Sequence, residues 1–224
     1  MRAVPTMDNY NNDMTHVLRE IKDLPKCTSH IEISTDKEKV RFIKEVEKIV
    51  RKSIEYKDYI AFLKEYINME NCSFFTNIKA ERTNRVKLEI HHEPFTLYDI
   101  TNIVVTKAIM NKEELNYFKI AEEVMKLHYQ DKVGLIPLSL TVHQLVHLGT
   151  IFIPLQAIYG RYIEFVKEYR PYITNDYMEM LEEKLKASVE IKNNKKQDLS
   201  ILGTRYVYLE VDGMTFPKII DESK

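Results

Sequence analysis

Between Thr35 and Tyr56 the apolar residues Val40, Ile43, Val46, Val50 and Ile54 recur at steps of three and four, separated largely by Lys, Arg and Glu. That spacing lines one face of a 3.6-residue helix and cannot line one face of a strand, whose side chains alternate. Ser34, Thr35 or Asp36 supplies the N-cap. The same helix-favouring economy runs through the chain: 224 residues hold only 5 Gly and 7 Pro, with 44% hydrophobic and 30% charged residues. This excludes a disordered or collagen-like polymer and admits a folded, helix-leaning protein of one large domain or one domain with appendages. The formal net charge is −1, so no global basic field draws the chain to DNA or lipid, and nucleic-acid binding has to rest on a local patch.

Reading along the chain, residues 1–33 form a polar N-terminal arm with a short amphipathic piece, "MTHVLREIKDL", and its opening has no signal-peptide core. Residues 34–78 form a helical segment in which "KDYIAFLKEYINM" is a second helix or an extension of the first. "RVKLEI" alternates like a strand, "TLYDITNIVVTKAIM" and "EELNYFKIAEEVMKLHY" read as amphipathic helices, and "VGLIPLS" is a short apolar strand. "TVHQLVHL" is a helix capped by Ser139 or Thr141 and stopped by Gly149. In residues 151–198, "RYIEFVKEYRPYI" and "NDYMEMLEEKLKASVEI" are helical and broken at Pro171, and residues 199–224 form a hairpin around Asp212-Gly213. The longest apolar run, "LGTIFIPLQAIYG", is too short to span a bilayer. Cys27 and Cys72 are isolated, which fits buried thiols in a reducing cytoplasm.

The histidines carry the chemistry. Five of seven, His91, His92, His128, His143 and His147, fall within residues 91–147. His143 and His147 are four apart, so a helix puts both on one face, where neutral imidazoles suit a divalent transition metal. His91 and His92 point to opposite sides of a strand, so one can join a metal while the other faces away. Three readings stay open. The pair at 143 and 147 can be two ordinary helix histidines. It can be a zinc-protease helix with Glu164 as third ligand, but Gln144 stands where that helix needs its catalytic Glu. Or it can belong to a wider metal constellation. His128 reads as a helix C-terminal histidine meeting the helix dipole.

The third reading rests on a resemblance. "LEIHHEP" resembles the first strand of the HNH, or ββα-metal, nucleases in their colicin-type double-histidine form. "GLIPLSLTVHQLVH" resembles the second strand and helix, with Leu135, Leu138, His143 and His147 on the pattern N-L-x-x-L-x-x-x-x-H-x-x-x-H. The resemblance covers roughly residues 86–149. It implies an α+β fold with a ββα-metal core at 79–150, a helical insertion at 96–132, flanking helices and the C-terminal hairpin. It implies a metal-dependent endonuclease, phage- or mobile-element-encoded, hydrolysing DNA phosphodiesters in the cytoplasm (the host cytoplasm if phage-encoded). His91 and His143 would hold a divalent ion (Mg²⁺, Mn²⁺ or Zn²⁺), with His147 a third ligand or a phosphate contact, and His92 would activate water. The template's Asn falls on Gly134, and "YDITNIVV" offers Asn102 to orient the base in its place. Lys79, Arg82, Arg85 and Lys87 form a basic cluster that would contact phosphates. The alternative is a catalytically inactive HNH-like module that binds nucleic acid or protein, with a structural metal or none. The implied partners are DNA, and a protein partner or a second copy, with no membrane.

Overall fold

The computed structural model describes residues 31–74, 87–193, 205–211 and 214–220. It is α+β and mostly helical, with seven α-helices among the described residues and two separate two-stranded antiparallel sheets. The chain divides into two compact units, residues 1–62 with 97–130, and residues 63–96 with 131–224.

The first unit holds α1 (Asp36–Lys52), most of α2 (Ile54–Glu65), α3 (Leu97–Met110) and α4 (Tyr117–Tyr129). Of the candidate caps, Thr35 starts α1: its hydroxyl accepts from the Glu38 amide while the Glu38 carboxylate accepts from the Thr35 amide. This reciprocal box satisfies two donors that a helix start otherwise leaves open. Thr35→Ala should therefore destabilise the unit by about 1 kcal/mol in chemical denaturation.

The buried stripe of α1 is Phe42, Ile43, Val46 and Val50, narrower than the spacing alone implies. Ile54 is 62% exposed, because the helix ends before it. Ser53 turns extended there; its hydroxyl donates to the Val50 carbonyl at 2.8 Å and accepts from the Tyr56 amide at 3.1 Å. One side chain thus closes α1 and opens α2. α1 packs against α3 and α4, with Phe42 stacked on Tyr117 at 4.5 Å between ring centroids. Lys39 donates to the Thr106 hydroxyl at 3.0 Å, and Lys107 pairs with Glu123 at 2.7 Å.

His128 lies in the last turn of α4, as expected, but its ring is turned into the core. It is fully buried one residue before the end of α4, with Nδ1 2.7 Å from the Val124 carbonyl oxygen and the Tyr56 and Tyr59 rings edge-on to it. Desolvation, and secondarily the Arg51 charge, push its pKa down to about 4 against the opposing pull of the Val124 carbonyl. It is a neutral core residue at neutral pH.

The second unit contains β1 (Leu88–His92) and β2 (Leu135–Ser139), paired antiparallel with Leu88 opposite Ser139, His91 opposite Ile136 and His92 opposite Leu135. Pro137 is tolerated in β2 because a two-stranded sheet consists of edges. α5 (Leu140–His147) follows β2 without a loop, and Ser139 is at once the last strand residue and the N-cap, accepting from the Val142 amide at 3.4 Å. Gly149 has φ +70°, and the amides of Gly149 and Thr150 donate to the carbonyls of Val146 and Leu145, both at 2.9 Å. This paired closure is the usual helix stop at a glycine.

The run at 150–156 forms no strand; Pro154 leads instead into a 3-10 turn, Leu155–Ala157. α6 (Tyr162–Tyr169) and α7 (Asn175–Asn193) are separated by a 3-10 turn, Arg170–Tyr172, at Pro171. Phe165 packs edge-on to Phe95 at 5.7 Å and stacks on Tyr169 at 4.7 Å. β3 (Arg205–Val211) and β4 (Met214–Ile220) form the expected hairpin, with Val211 opposite Met214; Asp212 and Gly213 lie outside the described residues. Cys72 is a buried free thiol, and Cys27 lies outside the described residues. Among the described residues no helix is long and apolar enough to cross a membrane.

Candidate metal centre

The site is built by one strand face and one helix face of the second unit. Side-chain alternation puts Glu89 and His91 on the same side of β1, Glu93 follows directly after the strand, and α5 packs on the sheet. His143 and His147, four apart on α5, face that row. The three imidazoles meet edge-on, with ring centroids 4.9 Å (His91–His143), 5.2 Å (His91–His147) and 4.5 Å (His143–His147) apart. One ligand atom from each lies within 4.8 Å of the other two. His91 is buried, at 6% exposure, while His143 is half-buried and His147 exposed. The cluster therefore has a closed floor and an open mouth.

Two carboxylates flank the imidazoles. Glu89 Oε2 lies 2.7 Å from His143 Nδ1, so that nitrogen donates and Nε2 is left to face His147 Nε2 at 3.1 Å. Glu89 is itself held by Lys87 at 2.6 Å, and that hydrogen bond, opposed by partial burial and reinforced by the Lys87 and His143 charges, keeps its carboxyl below the usual range. Glu93 Oε2 lies 3.6 Å from His91 Nε2, and its other oxygen pairs with Lys184. Burial pushes the Glu93 carboxyl up, but His91 and Lys184 together outweigh it and hold the group ionised. His143 is driven the other way: desolvation, then the neighbouring His91 and His147, lower its pKa against the pull of Glu89. An imidazole kept neutral, with its second nitrogen fixed on a carboxylate, is the form that binds metal.

Not every expected residue joins the three imidazoles. His92 is buried, at 4% exposure, on the opposite side of β1, and it is not one of the converging histidines. Asn102 lies on α3 in the first unit, where its carbonyl accepts from the Thr106 hydroxyl at 2.8 Å. Lys87 engages Glu89, while Lys79, Arg82 and Arg85 lie outside the described residues. Glu164, the third ligand a zinc-protease reading requires, is ion-paired to Arg161 at 3.2 Å and is not in the cluster. Glu89, Glu93 and Lys184 were not singled out from the sequence. The period-two spacing E-x-H-x-E at 89–93 is the signal that exposes the first two; Lys184 is too remote in sequence to be found that way.

Gly134 occupies the template's Asn position for a steric reason. A Cβ there would fall 1.8 Å from the Glu93 carbonyl oxygen and 2.8 Å from Ile158 Cγ2. The Gly134 carbonyl accepts from the Glu93 amide at 3.0 Å, so the two backbones are in direct contact just past the His92–Leu135 pair. Only glycine permits that approach.

A family model for the Bacteriophage G278-like virion protein matches residues 2–213. The chain belongs to that family. No curated protein and no solved structure matches it. Membership across nearly the whole chain overturns the HNH resemblance, which rested on roughly residues 86–149. The nuclease and hydrolase assignments fall with it, and with them water activation by His92; the inactive HNH-like module is not clearly supported either. The strand–strand–helix order and the histidine spacing are real, but a helix pair of histidines beside a strand histidine is a local geometry that unrelated proteins can share. The expected phage association stands; the nuclease role does not.

Proposed function

We propose that the protein is a structural component of a phage particle and acts through contacts with other protein subunits, copies of itself or different chains. The family match over residues 2–213 carries this reading. Two further features support it. The net charge of −1 provides no broad attraction for nucleic acid. In the first unit, Ile109, Met110 and Phe118 are exposed at 42%, 58% and 42%, and they bracket the turn joining α3 to α4. Large apolar side chains held in water by rigid helix ends suit burial against a partner.

The test is composition of the particle. Particles purified through a density gradient and washed at high salt should retain the chain in a fixed copy number per genome, detected by quantitative mass spectrometry. Recovery only from the soluble lysate of infected cells, with none in washed particles, would sink the proposal.

A further inference from the structure

We propose that His91, His143 and His147 bind a single divalent ion of the zinc class, positioned by Glu89, and that this ion pins α5 to β1. The donor set decides the class. Three imidazole nitrogens favour zinc, cobalt, nickel or copper, whereas magnesium and manganese prefer oxygen ligands. The geometry is close to assembled. Zinc–nitrogen bonds of about 2.1 Å in a tetrahedron separate two nitrogens by about 3.4 Å. His143 Nε2 and His147 Nε2 are already 3.1 Å apart, and all three ligand atoms lie within 4.8 Å. Closing the widest of these gaps takes at most about 1.4 Å, within the reach of side-chain rotation, and completes the triangle. The hydrogen bond now joining the two Nε2 atoms is then replaced by two metal bonds.

The surroundings are those of a built site rather than a chance encounter. Glu89 accepts a hydrogen bond from the Nδ1–H of His143 and so directs the Nε2 lone pair inward. Lys87 and Lys184 anchor Glu89 and Glu93, so neither carboxylate is free to swing in as a ligand. Buried His91 closes the floor and exposed His147 opens the mouth, which leaves a fourth position facing solvent for water. The ion joins residues far apart in sequence, and its role is mechanical: it fixes an eight-residue helix, too short to be stable alone, on a two-stranded sheet.

The experiment titrates Co²⁺, then Zn²⁺, into the chelator-treated full-length protein. One equivalent of Co²⁺ should produce the intense visible absorption of a four-coordinate site, and Zn²⁺ should displace it and raise the melting temperature. His147→Ala, at an exposed position that does not threaten folding, should abolish the absorption and weaken Zn²⁺ binding at least 100-fold. Glu89→Gln should weaken it roughly 10- to 100-fold while keeping the stoichiometry. Gln144→Ala, on the exposed face between the two histidines, should bind as the parent does. A folded parent protein that takes up no Co²⁺ or Zn²⁺, or binding that survives His147→Ala unchanged, overturns the site. An unchanged affinity in Glu89→Gln overturns its positioning role. None of these outcomes depends on whether the chain is found in particles.

Discussion

Gly134→Ala should destabilise the second unit by about 3 kcal/mol or more, at the upper end of what overpacking costs. The added methyl carbon meets a backbone carbonyl at 1.8 Å, and the Ile158 side chain closes the other side at 2.8 Å. A flexible side chain could yield; the Glu93 carbonyl cannot, because the adjoining Glu93 amide is bonded to the Gly134 carbonyl and its carboxylate is tied to Lys184. Any accommodation has to separate the backbones at the Glu93 end of β1, which also displaces His91. The variant should therefore lose urea resistance, and it should lose Co²⁺ binding as well. Gly134→Asn, which writes the nuclease template into the chain, should be at least as damaging. A Gly134→Ala protein as stable as the parent would mean that the strands can part there at little cost.

His128 should titrate near pH 4 rather than near its ordinary value of about 6.5. Its folded-state pKa is depressed, so between those two values the unfolded chain binds a proton that the folded chain refuses. Stability is then fully present above the unfolded pKa and is lost as pH falls through the window. Linkage puts the loss at about 3 kcal/mol between pH 7 and pH 4. The ring proton signal of His128 in a pH series gives the pKa directly, and urea denaturation gives the energy. His128→Phe keeps a ring between Tyr56 and Tyr59, and it should flatten the acid limb of stability by that amount. A His128 signal moving near pH 6.5 would mean that the residue is not sealed from water.

The helices were legible because their signal is local. Thr35 with Glu38, the α1 stripe, Ser139 as a cap and Gly149 as a stop each lie within a few residues of the element they define. Both strands of the first sheet could be read as short apolar or alternating runs for the same reason. The break at Ser53 was harder, since serine is common inside helices and nothing in its neighbours forces an extended ψ. The dimensions of the histidine site were legible only in part. Spacing put His143 with His147, and alternation separated His91 from His92. That Lys184 would anchor Glu93 depends on packing between residues 91 apart. The nuclease reading failed at a different level: a few well-placed imidazoles describe what a site can hold, and they carry no information on whether a reaction follows. Gly134 was read as a missing side chain. It is a contact between backbones, which no pattern of side-chain chemistry announces.

The interleaved order of the two units also dictates when they can form during synthesis. The first unit draws on residues 1–62 and 97–130, and β1 is made before α3 and α4 while its partner β2 is made after them. At ordinary elongation rates, roughly 5–20 residues per second, the about fifty residues between His91 and His143 take roughly 3–10 s to emerge. Until β2 emerges β1 lacks the strand it pairs with, and until α5 follows His91 lacks the two imidazoles it meets. The histidine cluster is therefore a late product of translation, and it can take form only once the helices of the other unit have been made in full.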